Sequence, residues 1–228
     1  MQLCGRLVVT VDGRRVEEEL PGRQGRLLLA FLALNRLRTV TRDEAIEALW
    51  PDGRDGGLAP LLSKLRRVVS LDGLRLLADR VDVESAAESV HRAESALAQG
   101  DAHGAWGPSL VALFICERPL LPGVDALWLD AERRRLGGVQ LRALEAYGQA
   151  ALGVGGTELA AAVRTGRRLV ELEPYRESGY RLLMEALDRE GNCAEALLVY
   201  EQLRGRLRDD LGVSPSDPTQ ELHRRLLR

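Results

Sequence analysis

Between Arg54 and Arg80 six basic side chains (Arg54, Lys64, Arg66, Arg67, Arg75 and Arg80) stand against three acidic ones, Asp55, Asp72 and Asp79. The whole chain carries a formal net charge of −2, so this is a local excess that suits phosphate rather than a uniformly basic surface. Within it, Leu58, Leu61, Leu62, Leu65, Val68 and Val69 recur at helical spacing and leave Ser63, Arg66, Arg67 and Ser70 on the opposite face, with Lys64 at its edge. Arginine and lysine on such a face either bond base edges, which reads sequence, or contact phosphates, which positions the protein without reading it. Arg42 opens a second helical segment, where backbone phosphate meets a helix N-terminus. Arg75 lies in a short strand segment beyond the third helix, and Arg23 and Arg26 precede the first. The predicted DNA-binding set is Ser63, Lys64, Arg66, Arg67, Arg42 and Arg75.

No other grouping supports chemistry of its own. His91, His103 and His223 share no short, paired spacing with one another or with Cys4, Cys116 or Cys193, so no metal site is expected. The glycines of GVGG at 153–156 lack a following Gly-Lys-Ser/Thr and do not follow a strand, which excludes a phosphate loop. Without a supported Ser/His/Asp or Cys/His arrangement, neither an enzyme nor a cofactor is expected. Trp50, Trp106 and Trp128 read as packing residues, and Tyr175, Tyr180 and Tyr200 as contacts between helical hairpins. The three widely spaced cysteines suit a reducing compartment, and no membrane-length apolar run or signal peptide is evident. A cytoplasmic protein is expected. Lys64 is the only lysine, which reads as a mark of a GC-rich genome.

The elements that must position the basic face are legible from turn and capping signals. Asp12-Gly13 joins two short apolar runs over residues 3–20 and predicts a hairpin. A helix follows from Gln24 to Arg36, with Leu27, Leu28, Phe31, Leu32 and Leu34 at helical spacing. Thr41 and Glu44 form a capping box for the next helix, which Pro51-Asp52-Gly53 stops. The third helix covers about 58–69, and a short strand hairpin turns around Asp72-Gly73. Sheet, three helices and hairpin in that order match a winged helix-turn-helix with a small extra N-terminal β-sheet, whose third helix enters the major groove.

Beyond Val83 helices are predicted at about 84–99, 103–117, 125–152, 157–172, 176–190 and 193–208. Ala162 and Leu169 recur as Ala196 and Leu203 at one tetratricopeptide period. Within 182–203, Ala186, Gly191, Ala194 and Ala196 should let two antiparallel helices approach closely, with Tyr200 one turn on. The tail breaks at Pro215 and Pro218 and closes with a short docking helix. The prediction is a mainly α protein with two domains, the winged helix-turn-helix at 1–83 and an all-α tetratricopeptide-like repeat domain at 84–228. Arg167, Arg168, Arg181 and Glu185 are candidates for a partner surface on the repeats.

The segment LPGRQGRLLLAFLALNRLRTVTRDEAIEALWPD, followed by LSKLRRVV, resembles the DNA-binding domain of the Streptomyces antibiotic regulatory protein family. ALWLDAERRRLGGVQLRALEAY and PYRESGYRLLMEALDREGNCAEALLVYEQLRGRLRDDLGVSPS resemble its companion, the bacterial transcriptional activator domain. The resemblance spans nearly the whole chain in the same order. It implies an actinobacterial transcriptional activator that binds direct repeats in double-stranded DNA, as a side-by-side pair, and recruits RNA polymerase through its sigma or alpha subunit. The regulated genes would belong to a secondary-metabolite cluster. The chain ends where the activator domain normally ends, so a short regulator and the N-terminal part of a longer one both fit.

The departures lie at the start of the third helix. Gly56, Gly57 and Ala59 cannot donate to a base edge, Leu61 presents only methyls, and Pro60 lacks a backbone N–H. The wing also reads as short, at Ser70-Leu71-Asp72-Gly73-Leu74-Arg75. These features keep open an alternative, a protein- or ligand-binding regulator whose helix-turn-helix no longer reads sequence.

Overall fold

The computed structural model describes residues 1–51 and 57–228. Arg54, Asp55, Gly56 and the Asp52-Gly53 stop signal lie outside the described residues. The protein is mainly helical with small antiparallel sheets, and it divides into two compact units. The first comprises Met1–Ala87 and Phe114–Gly138, and the second Glu88–Leu113 and Val139–Arg228.

The first unit opens on β1 (Thr10–Val11) and β2 (Arg14–Arg15), paired antiparallel around the predicted turn. Asp12 and Gly13 both adopt positive φ, 50° and 79°, the backbone that a two-residue hairpin of this twist requires. Glu17 is buried behind the hairpin, where it accepts from Arg15 Nε at 2.7 Å and from the Val9 amide at 3.3 Å. Those bonds, led by the one from Arg15, hold its carboxyl down at about 2. The helices α1 (Gly22–Leu34), α2 (Arg42–Leu49) and α3 (Leu58–Leu65) follow. The capping box at the start of α2 is complete: Thr41 accepts from the Glu44 amide, and the Glu44 carboxylate accepts from the Thr41 amide.

α3 ends at Leu65, four residues earlier than the apolar spacing suggested. The Arg67 and Val68 amides bond back only three residues, to Lys64 and Leu65, so the chain tightens into turns as it approaches the next hairpin. Leu58, Leu62, Leu65 and Val69 are buried and α3 packs against α1, while Leu61 and Val68 are only half-buried. β3 (Leu71–Asp72) and β4 (Arg75–Leu76) then pair antiparallel across the two-residue turn Gly73-Leu74. Arg36 ties α1 to the chain after this hairpin, donating to Glu84 at 2.8 Å and to the Ala78 carbonyl at 2.6 Å.

The remaining helices are α4 (Asp82–Ala98), α5 (Ala102–Cys116), α6 (Leu127–Val154), α7 (Leu159–Leu172), α8 (Glu177–Arg189), α9 (Cys193–Arg206) and α10 (Asp217–Leu226). In the first unit, Asp82 accepts from the amides of Leu3 and Cys4 at 2.9 Å each, and Cys4 bridges to Leu120 in an antiparallel pair. Burial pushes the thiols of Cys4 and Cys116 up to about 12. Trp128 packs edge-on against Phe31, with ring centroids 5.2 Å apart, and donates to the Ala48 carbonyl.

In the second unit the core runs through Ala162, Tyr180, Met184, Leu187, Ala196 and Leu203. Ala162 and Leu169 of α7 and their counterparts Ala196 and Leu203 of α9 are all buried, as the repeat offset requires. One detail of the hairpin differs from expectation: Ala194 is exposed. Gly191 breaks the chain between α8 and α9 as a left-handed turn, at φ 86°. Glycines instead bring α7 and α8 close together. A Cβ on Gly166 would meet Leu183 Cα at 2.9 Å, and one on Gly179 would meet Leu169 Cβ at 2.9 Å. α10 docks on α8 and α9, burying Leu222 and Leu226, and begins with Pro218 in its first turn rather than after a break. Tyr200 stacks on His223 at 3.8 Å, and Trp106 meets Tyr147 edge-on. Tyr180 is buried and donates to the Pro174 carbonyl, whereas Tyr175 is exposed and donates to Asp210.

Candidate nucleic-acid interface

The first unit divides its cations into two populations. Apart from Arg23, those on the N-terminal hairpin, α1 and the loop after it are held by the protein's own carboxylates. Arg14 pairs with Glu19 at 2.6 Å, Arg15 with Glu17, Arg38 with Glu44 at 2.8 Å, and Arg36 with Glu84; Arg6 and Arg26 share Glu18 at 3.5 Å each. Lys64, Arg66, Arg67, Arg75 and Arg80 have no carboxylate partner among the described residues, and all are exposed. A positive charge with no internal counter-charge attracts an external anion, and five of them fall within seventeen residues of chain.

The elements explain why four of these five, Lys64, Arg66, Arg67 and Arg75, share one region. Burial of Leu58, Leu62 and Leu65 turns the other side of α3 outward, leaving Ala59, Pro60, Ser63, Lys64 and Arg67 exposed at intervals of three and four residues. The stripe is apolar at its N-terminal end, carries the Ser63 hydroxyl in the middle and is basic at its C-terminal end. The β3–β4 hairpin continues it with Arg75.

Arg66 stands apart from its neighbours. Its Nη2 donates to the Gly73 carbonyl in the hairpin turn, at 3.1 Å. Arg66 caps the end of α3 and braces the hairpin in one contact, so its guanidinium faces the protein as well as solvent. Arg42 is exposed at the first position of α2, and Arg23 is exposed near the start of α1 without a carboxylate partner among the described residues. The structure thus groups Ser63, Lys64, Arg66, Arg67 and Arg75 along α3 and the hairpin, and places Arg42 on a separate helix. Arg80 shares the lack of a carboxylate partner but lies outside the predicted site, and its sequence neighbours Asp79, Asp82 and Glu84 hide that lack.

In the second unit the residues considered for a partner surface are occupied internally. Arg167 pairs with Glu195 at 2.6 Å, Arg168 with Glu171 at 3.3 Å and Glu185 with Arg225 at 3.0 Å, while Arg181 donates to Thr219. Among the described residues no group of histidine, cysteine or carboxylate side chains could hold a metal ion, and no helix is long and apolar enough to cross a membrane.

Residues 81–227 match the sequence model of the bacterial transcriptional activator domain. The chain is 36% identical to the regulatory protein AfsR of Streptomyces coelicolor and 34% identical to AfsR of Streptomyces griseus, over 95% and 90% of its length. It spans less than a quarter of those relatives, 23% and 22% of their lengths. The transcriptional regulatory protein EmbR of Mycobacterium tuberculosis is 28% identical over 99% of the chain, which corresponds to 62% of EmbR. A solved structure of that protein in complex with a low affinity phosphopeptide superposes with a TM-score of 0.83 at 26% identity, covering 100% of this chain and 64% of the other.

Proposed function

We propose that this chain, which belongs to the Streptomyces antibiotic regulatory protein family through its bacterial transcriptional activator domain, is the DNA-binding and activating portion of a transcriptional regulator. Residues 1–83 act as a winged helix-turn-helix and residues 84–228 as the activator domain. α3 enters the major groove, with Ser63 and Lys64 toward the bases, while Arg67, Arg75 and Arg42 meet phosphates. Arg66 contributes by bracing the wing. The helical repeats contact RNA polymerase, through its sigma or alpha subunit, and a second copy bound alongside on direct repeats. The target is a secondary-metabolite gene cluster, and the site of action is the cytoplasm.

The observation that carries this reading is the run of exposed cations without a carboxylate partner from α3 through the hairpin to Arg80, whereas Arg6, Arg14, Arg15, Arg26, Arg36 and Arg38 carry internal carboxylate partners. A merely solvated basic face would share its charges with neighbouring carboxylates as those six arginines do. Fluorescence anisotropy with the gene's own upstream promoter DNA against a scrambled duplex, at two salt concentrations, tests it. Tighter promoter binding that weakens as salt rises is expected. Equal or absent binding to both duplexes would favour the alternative, in which the repeats alone carry the regulatory role.

A further inference from the structure

The N-terminal end of a recognition helix is where base contacts concentrate, and here it offers no hydrogen-bonding side chain. Ala59 and Pro60 are both exposed there, at the second and third positions of α3, and Pro60 has no amide hydrogen. The next exposed position on the stripe is Ser63. Among the described residues the cations of α3 begin at Lys64, so this apolar pair borders a surface whose uncompensated charge calls for a polyanion.

On the edge of a base pair in the major groove the one apolar feature is the C5 methyl of thymine. A methyl and a pyrrolidine ring gain nothing from the amino, carbonyl and ring-nitrogen groups of the other bases, and would strip them of water without replacing it. Resting on the DNA-binding reading above, we infer that Ala59 and Pro60 read thymine methyl groups, so that the operator carries thymines where the N-terminal end of α3 meets the groove. Specificity there comes from apolar contact, with Ser63 supplying the neutral hydrogen bond beside it. The lack of donors at the start of α3 is then a choice of base rather than a loss of readout.

The test changes the DNA and leaves the protein intact. A promoter duplex is compared with one in which thymidine is replaced by deoxyuridine, which pairs identically and lacks only the methyl. Wild-type protein should bind the uracil duplex more weakly by about fourfold for each buried methyl. In Pro60→Ser the discrimination between the two duplexes should shrink toward unity, with helix content checked by circular dichroism. In Arg67→Ala both duplexes should be weakened together and the ratio preserved, because a phosphate contact is blind to the base. Equal affinity of the wild type for thymine and uracil duplexes, with promoter preference retained, would overturn the inference and leave the DNA-binding reading standing. Loss of promoter preference altogether would overturn both.

Discussion

Gly166→Ala tests whether the second unit is held by close helix approach. Gly166 lies within α7, and an added Cβ would sit 2.9 Å from both the Cα and the Cβ of Leu183 and 3.0 Å from its amide nitrogen. Two of those atoms are backbone, so no side-chain rotation relieves the contact and α7 and α8 must separate. Overpacking costs about 1–3 kcal/mol, and with backbone atoms in the contact the upper part of that range applies, about 2–3 kcal/mol. The exchange also removes a glycine from a helix interior, a gain of about 0.8–1.0 kcal/mol. The net expectation is destabilisation of about 1–2 kcal/mol, or a fall in Tm of about 2–8 °C for a protein of this size. Gly205→Ala, in α9 of the same unit, is the control. A Cβ there meets nothing within 4 Å, so the propensity gain should appear alone as a stabilisation of about 0.5–1 kcal/mol. Both variants are read by urea and thermal unfolding followed by circular dichroism. Gly166→Ala as stable as the wild type, or moved in the same direction as Gly205→Ala, would refute the packing argument.

Two further outcomes follow from single contacts. Arg66→Ala should speed amide hydrogen exchange in the β3–β4 hairpin of the free protein, while Arg67→Ala should not, because only Arg66 donates to the Gly73 carbonyl; equal exchange in both would remove the bracing role. Glu177 accepts from the Ser216 amide and hydroxyl and from the buried Thr219, at the start of α10. Burial pushes its carboxyl up, but the bonds from Ser216 and Thr219 outweigh it and leave the group below the ordinary carboxylate range. A lowered folded-state pKa means that this support is present above the ordinary carboxylate range and is lost as pH falls through the folded value. Glu177→Ala should therefore loosen α10 at neutral pH, at a cost of about 1–3 kcal/mol, seen as faster proteolysis in the exposed segment before α10. In the wild type the same loosening should be confined to acid pH; proteolysis unchanged in the variant would count against the latch.

Local signals carried much of this fold, and non-local ones did not. Asp12-Gly13, the Thr41–Glu44 capping box and the offset between Ala162 and Ala196 are written into a few adjacent or periodic residues, and each has the expected place in the structure. The end of α3 was not legible, since Val68 and Val69 continue the apolar period; the hairpin after them needs the chain to turn, and Arg66 reaches forward to hold it. Nothing in the sequence separates Gly166 and Gly179 from Ala194, because only the facing helix shows which small residue it lies against. At the candidate site, the sequence supplied which residues are basic. It could not show which ones are neutralised: Arg14, Arg15 and Arg38 look as available in the sequence as Lys64 or Arg67, and only the fold brings Glu19, Glu17 and Glu44 to them.

The most direct measurement of the central claim is the salt dependence of promoter affinity for the wild type and for a variant with alanine at Lys64, Arg67 and Arg75. Each phosphate neutralised contributes about 0.9 to the slope of log affinity against log salt, so the triple variant should lose about 2 of that slope through Arg67 and Arg75. Arg14→Ala, whose guanidinium is held by Glu19, should leave the slope as it is. A triple variant with the wild-type slope would contradict the account, because the cations of α3 and the hairpin would then face no phosphate.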